Sequence, residues 1–316
     1  MTEQIYNLAF VFPGQGSQSV GMMSALADSY SEVRQTFEQA SDVLARDLWK
    51  MVTQGPLEEL NQTQNTQPAM LAAGYAVWRV WCRNSAIRPA WVAGHSLGEY
   101  TALVCANALS FEDGIRLVAE RGRLMQAAVP VGQGAMAAVL GLEDHIVVRV
   151  CQDAADGEIV APVNYNAPGQ VVIAGAKTAV ERAMALAKEA GAKRVVLLPV
   201  SVPSHCALMA SAADKLNDFL QNTPLKAPEM ILIHNVDTRA HGAPEVICNA
   251  LKEQLFKPVR WSDSIRFMAD QGVIRFVECG PGKVLSGLNK RIATNAEHFS
   301  IFDPETLKQT MEAFDD

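Results

Sequence analysis

Hydrophobic positions along this chain follow two alternating rhythms. Short β-branched runs are separated by longer stretches in which apolar residues recur at helical spacing, and that alternation predicts an α/β protein. The runs predict strands at 5–12, 91–94, 135–140, 159–164, 171–174, 195–199, 230–235 and 273–278, with helices filling most of the gaps. The middle of the chain has an order of its own. It reads strand (AMAAVL), helix (143–155), strand (IVAPVN), a turn through Ala167-Pro168-Gly169, strand (VVIA), helix (178–190) and strand (RVVLLP). This β-α-β-β-α-β order is that of the ferredoxin-like split βαβ unit. Before it the chain reads β-α-α-β-α and after it α-β-α-β-α. The pattern therefore predicts a larger α/β domain (1–131 and 201–316) carrying an inserted smaller one (132–200), with hinges at 130–134 and 200–204. There is no internal repeat and no low-complexity segment.

Composition narrows the function classes. With 316 residues, 49% hydrophobic and 19% charged, the chain is of ordinary globular type. No apolar stretch reaches the ~18 residues of a spanning helix, and residues 1–7 lack the basic start and apolar run of a signal peptide, so the expected compartment is the cytoplasm. Cys82, Cys105, Cys151, Cys206, Cys248 and Cys279 show no C-x-x-C pair, and the histidines show no ligand spacing, so the expectation is reduced core thiols and no metal. A net charge of −7 without a basic block argues against nucleic acid or an anionic membrane as partner.

The strongest chemical signal is AWVAGHSLGEY, residues 90–100, a G-x-S-x-G pattern with a strand before it and an apolar helix after it. In that setting the glycines leave room for a tight strand-to-helix turn that exposes the Ser96 hydroxyl near the positive end of the helix. The alternative for Ser96 is an incidental helix cap. A serine nucleophile needs a base from elsewhere in the chain. His205, in PVSVPSHCAL, follows a strand and opens a helix, and proximity to a helix N-terminus is expected to keep its ring neutral. A loop histidine bonded to backbone is the competing reading. His95 adjoins the nucleophile and is expected to point away from it. Cys206 has nothing to activate it.

The helix SFEDGIRLVAERGRLMQAAVP opens with Ser110 as N-cap and stops before Pro130. Spaced at about 100° per residue, Phe111, Ile115, Leu117, Val118, Leu124, Met125 and Val129 share one half-circle, while Glu112, Arg116, Glu120 and Arg123 share the other. Arg121 falls in the apolar half. A buried cation needs an anion, which is either an internal carboxylate or a carboxylate on the substrate, whose geometry the guanidinium fork matches. The early turn FPGQGSQ, residues 12–18, lacks the Lys-Ser/Thr of a phosphate loop and breaks G-x-G-x-x-G; CGPGKV fails the same test at Val284. A turn with free amides at a strand end suits an oxyanion hole instead. One donor is expected from Leu97, after the nucleophile, and the second from Gln15.

In order and spacing, FVFPGQGSQ, TQPAM, AGHSLGEY, ERGRLMQ, NAPGQVVIAG, PVSVPSHCALM, QLFKPVRW and CGPGKVL resemble the malonyl-CoA:acyl-carrier-protein transacylase family over essentially the whole chain. The resemblance implies an α/β-hydrolase-like domain with an inserted ferredoxin-like subdomain. It implies Ser96 as nucleophile, His205 as base, Arg121 as the clamp on the malonyl carboxylate, and Gln15 and Leu97 as the oxyanion hole. It also implies that the main-chain carbonyl of Gln254, not a carboxylate, orients His205, and that Gln67 lies near the pocket. Malonyl-CoA and holo acyl carrier protein are the implied partners, in fatty acid synthesis, with no metal or redox cofactor. The alternatives are a hydrolase of carboxylated thioesters, a catalytically idle carrier-binding protein, and a polyketide-type acyltransferase. The residues before the histidine, Val202-Pro203-Ser204, match the fatty-acid enzyme and neither polyketide pattern.

Overall fold

A computed structural model describes residues 3–200 and 202–315. Among the described residues nine strands form two sheets. Five of them, β1 (Glu3–Phe12), β2 (Ile87–Gly94), β7 (Ile231–Ile233), β8 (Arg275–Cys279) and β9 (Glu297–Ile301), pair in parallel in the order β7-β2-β1-β8-β9. Parallel strands are buried on both faces, which is why the second half of β1, Leu8–Phe12, is wholly apolar. Leu8, Phe10 and Phe12 enter the core beneath helices Ser31–Leu44, Thr63–Asn84 and Phe111–Ala128, while Ala9 and Val11 enter a second core with Trp261, Ile265 and Leu285.

The other four strands, β3 (Gly134–Leu140), β4 (Val160–Ala167), β5 (Gln170–Ala176) and β6 (Arg194–Leu197), form an antiparallel sheet in the order β4-β5-β3-β6. Helices Asp144–Ala154 and Lys177–Glu189 complete the β-α-β-β-α-β order read from the pattern. Strand alternation divides this sheet's faces. Ala135, Ala137, Val139, Val171 and Ile173 pack under the two helices. Met136, Val172 and Ala174 face the other way, toward Cys206 of the large unit. The small sheet is tied by backbone to the segment before helix Trp261–Asp270 of the large unit: Val259 N–H donates to Val163 O at 2.8 Å, and Tyr165 N–H to Val259 O at 3.0 Å. The architecture is thus a two-part α/β fold.

Two expectations need correction. Strand β9 and the helix after it, Pro304–Asp315, were not legible in the pattern. This edge strand, EHFSI, is only partly buried and carries polar residues at three of its five positions, so it presents no apolar run. Strand β2 begins at Ile87, before Pro89, a residue that lowers strand propensity but is accommodated here opposite Ile5. Of the expected hinge at 200–204, Ser201 lies outside the described residues.

Candidate active site

The C-terminal ends of parallel strands are where loops converge in open α/β sheets. Here β1 delivers Gln15, β2 delivers Ser96, and β7 delivers His234 and Asn235. The turn after β2 is severe. Ser96 has φ +53°, the left-handed region that costs a non-glycine residue on the order of 1–3 kcal/mol. A Cβ on Gly94 would lie 1.8 Å from the Gly98 carbonyl carbon, and one on Gly98 would lie 2.0 Å from Phe12 O. Both glycines are therefore demanded by close backbone approach. Hydrogen bonds brace the turn: Ser96 N–H donates to Asn235 Oδ1 at 2.7 Å, Asn235 Nδ2 to Gly94 O at 2.7 Å, and Gln254 Nε2 to Ser96 O at 3.0 Å.

Ser96 Oγ lies 2.7 Å from His205 Nε2, and His205 Nδ1 lies 2.6 Å from the main-chain oxygen of Gln254. A carbonyl only accepts, so Nδ1 carries the proton and Nε2 presents its lone pair to the serine hydroxyl. The ring is buried, and its pKa is lowered to about 3, first by burial and then by the Arg121 cation. This corrects the expected cause. His205 does not open a helix; a short turn, Ala207–Met209, separates it from helix Ala210–Asn222, and burial replaces the helix terminus as the reason the ring stays neutral. His95 points away as expected, with Nε2 2.8 Å from Asn166 Oδ1. Burial pushes the Cys206 thiol up to about 11, and its Sγ donates to Pro203 O.

Ser110 caps helix Phe111–Ala128 by accepting from Asp113 N–H at 3.1 Å. The apolar half of the helix is buried and Arg121 is buried with it, 1% exposed. Arg116 and Arg123, on the other half, pair with Asp113 and Glu120 at the surface. The partners of Arg121 are all neutral: Gln67 Oε1 at 2.8 Å, Gln254 Oε1 at 3.0 Å and Ser96 Oγ at 3.3 Å, with the Tyr100 ring centroid 5.3 Å from Cζ. No internal carboxylate forms an ion pair with it among the described residues, which removes the bland reading of this arginine. Gly122 explains how Gln67 arrives. A Cβ there would lie 2.7 Å from Gln64 Cα, so only glycine lets the helix press against the start of helix Thr63–Asn84.

The FPGQG turn is pressed onto the elbow as well, since a Cβ on Gly14 would lie 2.4 Å from His95 O. The Ser96, Gly98 and Gly16 amides are all engaged, while among the described residues the Gln15 and Leu97 amides donate to no protein acceptor. Both residues line the same cavity as Ser96, His205 and Arg121. That cavity is small, about 110 Å³, and its far wall is apolar: Met136 and Val172 from the small sheet, Leu198 just past β6, and Met125 and Val202 from the large unit. It is well below the ~300–1,000 Å³ of pockets for drug-sized ligands, and so suits a short acyl group. A larger cavity of about 570 Å³, lined by Asp113, Arg116, Leu117 and Phe219, contains none of the reactive groups. Chemistry, not size, locates the site.

All seven residues expected from sequence thus meet at one place. Two further residues touch them, Glu99 and Asn235, and a third, His234, holds Glu99. Glu99 is buried on the elbow helix (Gly98–Cys105), where its carboxylate accepts from His234 Nδ1 at 2.8 Å, Asn235 N–H at 3.0 Å and Gln254 Nε2 at 2.7 Å. A lone charge in an otherwise apolar helix was the available signal.

Comparison with known proteins agrees with this geometry. Residues 9–299 match the acyl transferase domain family. The chain is 53% identical to the malonyl CoA-acyl carrier protein transacylase of Escherichia coli (strain K12), over 96% of this chain and 98% of that one. It superposes on the crystal structure of a malonyl-CoA:acyl carrier protein transacylase from Xanthomonas oryzae pv. oryzae with a TM-score of 0.97 at 50% identity, covering 99% of both chains. A malonyl-transacylase solved in complex with its holo type II polyketide acyl-carrier protein matches with a TM-score of 0.96 at 51% identity, covering 97% of this chain and 99% of that one. A match of this extent, over a site of this build, means that the chain belongs to the acyl transferase family, among the malonyl CoA-acyl carrier protein transacylases.

Proposed function

We propose that this protein moves a malonyl group from malonyl-CoA to the phosphopantetheine thiol of an acyl carrier protein, through a malonyl ester on Ser96. The observation that carries the reading is Arg121, a buried cation without a carboxylate partner, 3.3 Å from the nucleophile oxygen. A cation so placed calls for an acyl group that brings its own carboxylate.

In this mechanism Ser96 passes its proton to His205 Nε2 as Oγ attacks the thioester carbonyl. The oxyanion is held by the Gln15 and Leu97 amides, and the Gln254 carbonyl keeps the ring in the productive tautomer. The intermediate collapses, the carbon–sulfur bond breaks, and the CoA thiolate takes the proton from the imidazolium. The carrier thiol then enters, gives its proton to His205 and attacks the ester, and Ser96 leaves with that proton restored. Gln67 and Gln254 hold the guanidinium while the malonyl carboxylate docks. The apolar wall of the cavity supports transfer over hydrolysis, because it leaves water few partners beside the ester.

Two further points belong to the same proposal. The chain divides into a discontinuous acyltransferase domain, 1–131 with 201–316, and a ferredoxin-like subdomain, 132–200, supported by the separation of the two sheets. The protein works in the cytoplasm, a reading supported by six unpaired cysteines. No helix among the described residues is long and apolar enough to cross a membrane.

The test is intact mass spectrometry after incubation with malonyl-CoA, with and without holo carrier protein. The expected result is one malonyl adduct, located on Ser96 and discharged onto the carrier. An adduct that decays to free malonate equally fast without carrier would make the protein a hydrolase, and an adduct on Ser96→Ala would move the nucleophile.

A further inference from the structure

Gln254 is the node of the site, because three of its polar atoms face four different residues. Its main-chain oxygen meets His205 Nδ1 at 2.6 Å, its Oε1 accepts from Arg121 at 3.0 Å, and its Nε2 donates to Glu99 Oε2 at 2.7 Å and Ser96 O at 3.0 Å. A side-chain amide has two ends of similar shape, and only the surroundings decide which end faces which way. A guanidinium only donates and a carboxylate only accepts. Turned over, the amide would set its N–H groups against the Arg121 N–H groups and its oxygen against the Glu99 oxygens.

Glu99 itself touches none of the reacting atoms. Its carboxylate is saturated on the far side by His234 Nδ1 and Asn235 N–H, so its position is fixed independently of the substrate. We infer that Glu99 is a positioning residue for the carboxylate clamp: by accepting from Gln254 Nε2 it holds the amide with its oxygen toward Arg121 and thereby aims the guanidinium at the acyl group on Ser96. The inference rests on the reading of Arg121 as the clamp. It makes the length and acceptor capacity of residue 99 the functional quantities, rather than its charge. Glutamine keeps both. Its oxygen can serve Asn235 N–H and Gln254 Nε2 while its amide nitrogen faces His234, whose ring takes the other tautomer. Aspartate keeps the charge but is one methylene too short to reach Gln254.

The experiment compares Glu99→Gln, Glu99→Asp and Arg121→Ala in the full-length protein, measuring kcat and KM for malonyl-CoA and for acetyl-CoA with holo carrier as acceptor. Losing one buried positioning hydrogen bond corresponds to about a tenfold effect. Glu99→Asp is expected to lower the malonyl-to-acetyl ratio of kcat/KM by about tenfold, mainly through the malonyl-CoA KM, and Glu99→Gln to hold it within about threefold. The inference is overturned if Glu99→Gln loses the ratio and Glu99→Asp keeps it, if both keep it, or if either slows both substrates alike. Should Glu99→Asp not fold, Glu99→Ala, which also removes the acceptor, replaces it: retention of the ratio by Glu99→Ala, or its loss in Glu99→Gln, overturns the inference. Arg121→Ala separates the layers. If it leaves the ratio unchanged the clamp itself fails. If it collapses the ratio while the Glu99 variants do not move it, only the role of Glu99 fails.

Discussion

Removing the Arg121 side chain takes a buried cation from beside the nucleophile, and the structure sets the size of the effect. The guanidinium is 1% exposed and lies 3.3 Å from Ser96 Oγ, so a malonyl carboxylate paired with it is largely desolvated. Truncating one partner of such a pair costs about 2–5 kcal/mol, much of it from stranding the other charge. On that scale Arg121→Ala lowers malonyl kcat/KM by about 30- to 5,000-fold. Acetyl-CoA has no carboxylate to strand, so its rate stays level or rises as the larger cavity opens and a cation that depresses the His205 pKa disappears. The cost to folding is modest because two effects oppose each other. Gln67 Oε1 and Gln254 Oε1 each lose a donor, at about 1–3 kcal/mol for an unsatisfied buried group, while the burial penalty of the cation is relieved. The assay is kcat/KM for both acyl-CoA substrates beside a thermal melt. Arg123→Ala is the control, since that side chain is exposed and paired only with Glu120. A parallel loss for malonyl and acetyl groups would refute the clamp and return Arg121 to a structural role.

Four other outcomes follow from the geometry. Ser96→Ala is expected to lower turnover by roughly 10⁴-fold or more and to abolish the malonyl adduct, as read by steady-state kinetics and intact mass. His205, lowered to about 3 chiefly by burial, stays in its basic form across neutral and mildly acidic pH, so the acylation rate is not expected to fall with a midpoint near the ordinary ~6.5 of histidine. The same shift carries a cost to stability: between about 6.5 and 3 the unfolded chain binds a proton that the folded ring refuses, so stability drops as pH falls through that window, and His205→Gln is expected to flatten the acid limb of a melting-temperature profile. Asn235→Ala leaves Ser96 N–H without its acceptor inside a strained turn, with an expected stability loss of about 1–3 kcal/mol and a drop in kcat larger than any rise in KM. An unchanged kcat in a folded Asn235→Ala protein would show that the elbow holds itself.

Local rules carried much of this site. The strand, G-x-S-x-G and helix in sequence locate Ser96 and Leu97, because tight turns and helix starts depend on neighbours a few residues apart. Hydrophobic alternation shows the succession of strands and helices in the small unit for the same reason, since β3, β4, β5 and β6 are bounded by turns and by helices of clear period. What local pattern does not carry is which distant segments meet. The pairing of His205 with Gln254, 49 positions apart, and of Arg121 with Gln254, 133 apart, is made by loops converging at one edge of the parallel sheet. For Gln254 and Gln67 the family resemblance supplied what periodicity could not. Strand β9 was missed because an edge strand is only half buried and selection for apolar residues relaxes there.

Arg121 and Glu99 make the limit specific. Arg121 was found because one charge broke the apolar half of an amphipathic helix. Glu99 breaks its surroundings more plainly: every residue of helix Gly98–Cys105 is buried and it alone is charged. A helix apolar on all sides lies inside the protein, so any charge on it must find partners there. GEYTALVC therefore implies a buried anion next to the nucleophile. The obvious pairing of a buried arginine with that buried glutamate is not made. The Gln254 amide stands between them, satisfying the donor on one side and the acceptor on the other. That arrangement keeps the cation oriented without neutralising it by direct contact, which is what a site must do if its counter-charge is to arrive with the substrate.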